Sequence, residues 1–163
     1  MILSKHEIIS AKAVAGILAG SQYQPAGVDL SLRAVFSLES AGAVDFDNSE
    51  RKLSETKPIG FGSSGWLHLK KGAYKISYNE AVRIPSDCVG FGFPRSSLLR
   101  CGADIRCAVW DPGYEGKSES LLIVSNAKGI RLKEGARVLQ LVFARISGSR
   151  GDTYSGRYHK ENL

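Results

Sequence analysis

Residues that build disulfides and metal cages are scarce. The 163 residues hold three cysteines, Cys88, Cys101 and Cys107. The number is odd and no Cys-x-x-Cys pair occurs, so neither a disulfide framework nor a zinc site is expected. The thiols read as free and buried or half-buried. His6, His68 and His159 are scattered without metal-ligand spacing. No apolar run approaches the roughly 20 residues that span a bilayer. The start, Met1-Ile2-Leu3-Ser4-Lys5-His6-Glu7, lacks a basic segment followed by an apolar one. A signal peptide is therefore not expected, and a cytoplasmic location is.

What is present is an ordinary globular mixture, 43% hydrophobic and 23% charged. It predicts one domain over residues 1–163 with a sizeable core. The net charge of +6 is uneven. Residues 1–82 carry 9 Lys and Arg against 8 Asp and Glu, whereas residues 83–163 carry 13 against 8. A basic half suits an anionic partner. No consecutive basic run and no interleaving of bases with aromatics is present, so a small polyanion is favoured over nucleic acid.

Ser4-Lys5-His6-Glu7 is a capping-box pattern. The apolar residues after it predict one amphipathic helix ending near Gly16 or Gly20, the one convincing helix of the chain. Val28, Leu30, Leu32 and Ala34 alternate with Asp29, Ser31 and Arg33, which predicts a half-buried strand. Asp29 at its start suits either a cation held through water or a cap on a neighbouring turn. Residues 37–65 are polar and irregular, with one or two short strands expected. Gly60-Phe61-Gly62-Ser63-Ser64-Gly65 lacks the lysine of a phosphate loop and reads as a flexible loop. Trp66–Leu69 and Tyr74–Tyr78 read as a hairpin across Lys70–Ala73. Further strands are expected around Val82–Ile84, Val89–Phe93, Ser120–Val124, Gly129–Leu132 and Val138–Ala144, with a turn at Lys133–Ala136. Residues 148–163 read as a mobile arm. Strands recurring every 8–12 residues, with 18 glycines as punctuation, favour an all-β sandwich or barrel.

Two stretches carry chemistry. Arg95-Ser96-Ser97-Leu98-Leu99-Arg100 places two guanidiniums and two hydroxyls within six residues, a set suited to phosphate oxygens. The competing reading is a structural ion pair for either arginine, with Asp104 for example. Asp111-Pro112-Gly113-Tyr114 sets a carboxylate at a tight turn with a ring three residues on. Asp111 either caps the bend or accepts a proton from water. Tyr114 either fills the core or packs flat on a sugar. Gln140, inside an apolar strand, either satisfies backbone groups or faces a wet pocket.

Gly27-Val28-Asp29-Leu30, Pro94-Arg95-Ser96-Ser97-Leu98, Val109-Trp110-Asp111-Pro112-Gly113-Tyr114-Glu115-Gly116 and Gly135-Ala136-Arg137-Val138-Leu139-Gln140-Leu141 together resemble the ordered motifs of the trimeric dUTPase and dCTP deaminase superfamily. The first residues and Tyr154-Ser155-Gly156-Arg157-Tyr158 look like its archaeal and deaminase-type branch. The resemblance implies a distorted jelly-roll β-barrel, assembled as a homotrimer with sites between subunits. It implies that Asp111 activates water and that Tyr114 packs against deoxyribose. Arg95, Ser96, Ser97 and Gln140 would hold phosphates, and Arg100 matches an arginine that deaminase-type members place in their site. Asp29 would help hold Mg²⁺ through waters. Backbone groups from Asp104 to Val109 would read the base, and the tail with Tyr158 would close over the nucleotide.

The superfamily divides at one position. Deaminases that resemble this chain carry Glu ten residues after the motif Asp, where this chain has Leu121. Leucine cannot shuttle protons to an exocyclic amine. The resemblance therefore implies hydrolysis of dUTP to dUMP and pyrophosphate, with a dCTP deaminase or a bifunctional enzyme as the runner-up. A non-catalytic nucleotide-binding trimer is a further alternative. Two departures stand out: Ala108 occupies a position where family members often have Gly, and the Gly60–Gly65 stretch resembles a C-terminal lid motif but lies mid-chain.

Overall fold

The computed structural model describes residues 1–147 and 151–163. In chain order it runs α1 (Lys5–Ser10), β1 (Val14–Ala15), a single 3-10 turn (Gly20–Gln22), β2 (Tyr23–Gln24), β3 (Gly27–Leu38), β4 (Thr56–Ile59), β5 (Trp66–Leu69), β6 (Gly72–Tyr78), β7 (Ala81–Arg83), β8 (Cys88–Pro94), α2 (Ser96–Arg100), β9 (Ala103–Arg106), β10 (Glu115–Gly116), β11 (Glu119–Val124), β12 (Ile130–Lys133) and β13 (Arg137–Arg145). The all-β class expected from the sequence is found.

The main sheet is antiparallel, in the order β8-β13-β3-β6-β11-β9, with β2 and β4 also paired to β3. Two smaller sheets, β1-β7-β10 and β12-β5, complete the body. The long strand β3 joins its parts. Its first half pairs with β13 and its second with β6, with register shifts at Leu32/Ala34 and at Arg137/Leu139 of the partner. Such bulges turn a strand between partners. Leu30, Leu139, Leu141 and Phe143 are fully buried where these strands cross, each contributing about 2 kcal/mol through removal from water.

The half-buried reading of β3 is corrected: both faces are covered from Gly27 to Leu32. Ser31 and Asp29 are each 1% exposed. Ser31 is buried because Glu80 needs it. The Glu80 carboxylate, with no exposure, accepts from Ser31 N at 2.8 Å, Ser31 Oγ at 2.6 Å and Gln22 Nε2 at 2.6 Å. A buried charge persists only when paired or hydrogen-bonded in this way.

The N-terminal helix is shorter than the periodicity implies. It ends at Ser10, because Lys12 takes the left-handed conformation at φ +50° and Ala13 N donates back to Ile8 O at 3.2 Å. Val14 and Ala15 then pair with β7 as a strand. A second helix, α2, was not expected. The predicted hairpin of Trp66–Leu69 with Tyr74–Tyr78 does not form: β5 pairs with β12 and β6 pairs with β3 and β11. Gly129 permits the distant pairing, since a Cβ there would lie 2.3 Å from Leu69 O. The Gly60–Gly65 segment is a hydrogen-bonded turn, with Gly65 O accepting from Glu134 N at 2.9 Å. Of the thiols, Cys88 is buried and pushed up to about 11 by that burial, Cys107 is half-buried and Cys101 is exposed, so the buried reading fails for Cys101.

The capping box of α1 is present. Ser4 N donates to Glu7 Oε2 at 2.9 Å, and Arg145 Nη2 lies 3.1 Å from Glu7 Oε1. Backbone and hydroxyl hydrogen bonds from Ser4, with Arg145, lower the Glu7 carboxyl from 4.5 to about 2. A depressed acid stabilises the fold above its unfolded value and loses that effect as pH falls toward the folded value. Glu7→Gln is therefore expected to melt below the parent at neutral pH, with the difference closing between pH 4.5 and about 2. Melting curves of the two proteins across that range check it.

Candidate functional site

The carboxylate turn is anchored from β8. Trp110 and Gly90 exchange backbone hydrogen bonds of 3.1 and 2.8 Å. Gly90 and Gly92 leave room for the Trp110 side chain, since Cβ atoms there would lie 3.0 Å from its Cβ and 2.9 Å from its ring. Asp111 follows directly. Its carbonyl accepts from Tyr114 N at 3.1 Å, and Gly113 turns at φ +79°. The Asp111 side chain is exposed at the wall of a cavity of about 580 Å³. Ala108, Val109, Leu121, Glu119 and Lys75 share that wall, so the segment expected to read a base borders the carboxylate.

Tyr114 is 5% exposed. Its hydroxyl donates to Glu161 Oε1 at 2.7 Å, and its ring meets Tyr154 edge-on at 5.8 Å. Burial, then the Glu161 carboxylate, push the phenol well above its ordinary value. Burial raises Glu161 as well. The tail expected to be a mobile arm is docked here over residues 151–163; residues 148–150 lie outside the described residues. Tyr154 N donates to Pro112 O at 2.7 Å, Lys160 N to Glu115 O at 2.6 Å and Lys117 N to Glu161 O at 3.0 Å. Tyr154, Tyr158 and Glu161 line the same cavity as Asp111.

The phosphate-type residues gather elsewhere on the chain. Arg95 precedes α2, its N–H donating to Val138 O at 3.0 Å. Its Nε lies 3.1 Å from Asp29 Oδ2, so its ion-pair partner is Asp29, while Asp104 pairs with Arg106. Arg137 Nη1 approaches the same Oδ2 at 3.3 Å, and Gln24 Nε2 does so at 3.2 Å. Burial pushes the Asp29 carboxyl up, while Arg95 and Arg137 pull it down. Gln140 lies opposite Asp29 on one side and Phe93 on the other, so all three share a sheet face. Ser96, Ser97 and Arg100 are exposed on α2. None of Arg95, Ser96, Ser97, Arg100 or Gln140 lines the Asp111 cavity.

A magnesium role for Asp29 does not fit this arrangement. Hard cations take clusters of oxygen ligands, whereas the Asp29 carboxylate already faces two guanidiniums. Among the described residues no group of three or more His, Cys, Asp or Glu is placed to hold a metal. Sequence reasoning missed Arg137, Glu161 and the Lys75–Glu119 pair of 2.9 Å. Arg137 lay in plain view three residues before Gln140. The other two have no local signal, because their partners are 47 and 44 residues away.

The dCTP deaminase-like family model matches residues 2–146. A probable deoxyuridine 5'-triphosphate nucleotidohydrolase of Methanosarcina mazei is 50% identical over 142 residues, 87% of this chain and 83% of that protein. One from Aeropyrum pernix is 44% identical over the full length of both. The deoxyuridine 5'-triphosphate nucleotidohydrolase of Methanocaldococcus jannaschii is 40% identical, covering 86% of this chain and 89% of its own. In fold, the chain resembles the 2'-deoxycytidine 5'-triphosphate deaminase of Agrobacterium tumefaciens, with a TM-score of 0.67 at 20% identity over 90% of this chain and 49% of that one. With the motifs in place on a matching β fold, the chain belongs to the dCTP deaminase-like family.

Proposed function

We propose that this chain is a dUTP diphosphatase, hydrolysing dUTP to dUMP and pyrophosphate. The observation that carries the choice within the family is Leu121 on the cavity wall beside Asp111. The one nearby carboxylate on the same strand, Glu119, is held by Lys75 at 2.9 Å, and Lys75 also sits 4.6 Å over the Phe36 ring. The archaeal relatives named as dUTP nucleotidohydrolases support the same reading.

In this mechanism Asp111 accepts a proton from water, and the water oxygen forms a bond to phosphorus. The bridging P–O bond between the α and β phosphates breaks, and pyrophosphate leaves. Arg95, Ser96, Ser97 and Gln140 hold the phosphate chain and offset its growing charge. Arg100 stands at the far end of the same helix, and Tyr158 approaches the nucleotide from the tail. Tyr114 forms the floor under the sugar. A divalent cation such as Mg²⁺ would add charge neutralisation on the phosphates, and no residue of this chain is assigned to hold it. A nucleotide substrate accords with a cytoplasmic location. Among the described residues no helix is long and apolar enough to cross a membrane.

The two halves of the site lie apart on one chain, which supports sites completed between copies, as in the homotrimer that the family resemblance implies. Phe91 and Phe93 are 39% and 56% exposed on the edge strand β8. Phe93 shares its face with Gln140 and Asp29. In this reading a second copy covers these rings and offers its own Asp111 turn to the phosphate half. The test is pyrophosphate release across dUTP, dCTP, dTTP and UTP, with ammonia followed in parallel. Turnover of dUTP without ammonia from dCTP is expected. Ammonia release from dCTP at a rate comparable to pyrophosphate release from dUTP overturns the reading in favour of a deaminase.

A further inference from the structure

We infer that Arg137 is a second phosphate-holding guanidinium, set beside Arg95 by their shared bond to Asp29. The inference rests on the diphosphatase reading and extends its phosphate half. Asp29 is 1% exposed, yet its Oδ2 faces Arg95 Nε at 3.1 Å and Arg137 Nη1 at 3.3 Å. Two positive charges against one negative leave the cluster at net +1. Among the described residues neither arginine pairs with another carboxylate. An excess cation beside a buried carboxylate is a place for an anion.

The geometry leaves both forks available. Arg137 uses Nη1 on Asp29 and on Ser21 O at 2.6 Å, and Arg95 uses Nε on Asp29. Their side chains remain 34% and 31% exposed. A guanidinium fixed through one nitrogen presents its other donors in a set direction, which suits bidentate contact with phosphate. Arg137 also opens onto a groove shared with Ser97, Arg131 and Lys133 and containing no carboxylate. Asp29 acts here as a positioning residue: it sets two arginines so that they meet one diphosphate together. The ligand chemistry is a diphosphate group, whether part of a nucleotide or free.

The test uses the full chain in EDTA, titrated calorimetrically with inorganic pyrophosphate and, separately, with deoxyuridine. Arg137→Gln is expected to weaken pyrophosphate binding about 10- to 100-fold, the range for a lost charge-assisted contact. Arg137→Lys recovers only part of it, because an ammonium has no fork. Arg83→Gln, which alters an exposed arginine paired with Glu115, leaves it unchanged. Deoxyuridine affinity stays constant throughout. Pyrophosphate affinity within twofold of the parent in Arg137→Gln overturns the inference. Equal loss of deoxyuridine binding, or a parent that binds no pyrophosphate, does so too. Should Arg137→Gln fail to fold, Arg137→Lys decides, and parental affinity there is an overturning result. A parent that leaves dUTP intact while Arg137→Gln loses pyrophosphate binding removes the diphosphatase reading alone. A parent that turns over dUTP while Arg137→Gln binds pyrophosphate normally removes this inference alone.

Discussion

Asp111→Asn is expected to lower kcat for dUTP by about 10³-fold, within the range that a positioned general base supplies, while KM changes less than about threefold. The amide has the shape of the carboxylate but cannot accept the proton of an attacking water. The substitution isolates chemistry from folding for a structural reason. Among the described residues the Asp111 carboxylate makes no hydrogen bond or ion pair, and the turn is held instead through its backbone, by Tyr114 N on Asp111 O at 3.1 Å and Gly113 N on Ile84 O at 3.0 Å. The melting temperature should therefore stay within a degree or two of the parent, as surface changes of this kind do. Steady-state kinetics together with a binding titration of the variant check it. Unchanged turnover removes Asp111 from the mechanism and favours a nucleotide-binding assembly without catalysis.

Gly27→Ala is expected to destabilise the chain by about 3 kcal/mol, at the upper end for overpacking a well-filled site. Gly27 opens β3 between two neighbours, Gln24 of β2 and the β13 strand. A Cβ there would lie 2.6 Å from Leu141 O and 3.1 Å from Gln140 Nε2. The first contact is with backbone. Leu141 is fixed from both sides by Val28 and Gly92, so it cannot retreat without opening the ladder. The second contact is with the Gln140 amide, which lies opposite Asp29. A single methyl thus strains the core and displaces at once the amide proposed to hold phosphate. Denaturant titration should show the lost stability, and KM for dUTP should rise in whatever fraction remains folded. A parental midpoint with parental KM would mean that β13 yields more easily than its pairing implies.

Local signals carried well where the deciding contacts were local. The Asp111-Pro112-Gly113-Tyr114 turn and the Ser4–Glu7 capping box closed as the residues dictated, because each hydrogen bond spans three residues. The end of α1 did not. Ala13 favours helix and Val14 favours strand, and the choice fell to Val82 across the β1–β7 ladder. The expected hairpin at Lys70–Ala73 failed for a similar reason. Tyr74 Oη donates to Lys70 O at 2.9 Å, which makes the segment a corner between sheets, and β5 finds its partner some 60 residues later, as in the contact of His68 with Lys128 O. Within the candidate site, the arginine-serine run and the carboxylate turn both stand out in the sequence, but Arg95, Ser96, Ser97 and Arg100 do not line the Asp111 cavity. The tie of Arg137 to Asp29 spans 108 residues, and that of Glu161 to Tyr114 spans 47. No window of sequence shows such pairs, so neither the place of Asp29 between two guanidiniums nor the docking of Glu161 on Tyr114 was open to a local reading.

The alternation of Gly90 and Gly92 with Phe91 and Phe93 on β8 bears on how the protein behaves in solution. One side of the strand takes Trp110, and the other leaves two phenyl rings in water. In the proposed assembly those rings are covered only when copies meet, so turnover obeys mass action as well as chemistry. Specific activity should then fall on dilution, more steeply than in proportion to protomer concentration, with no loss of folded structure. Recovery on reconcentration separates this from inactivation. An enzyme built this way is switched on by its own abundance.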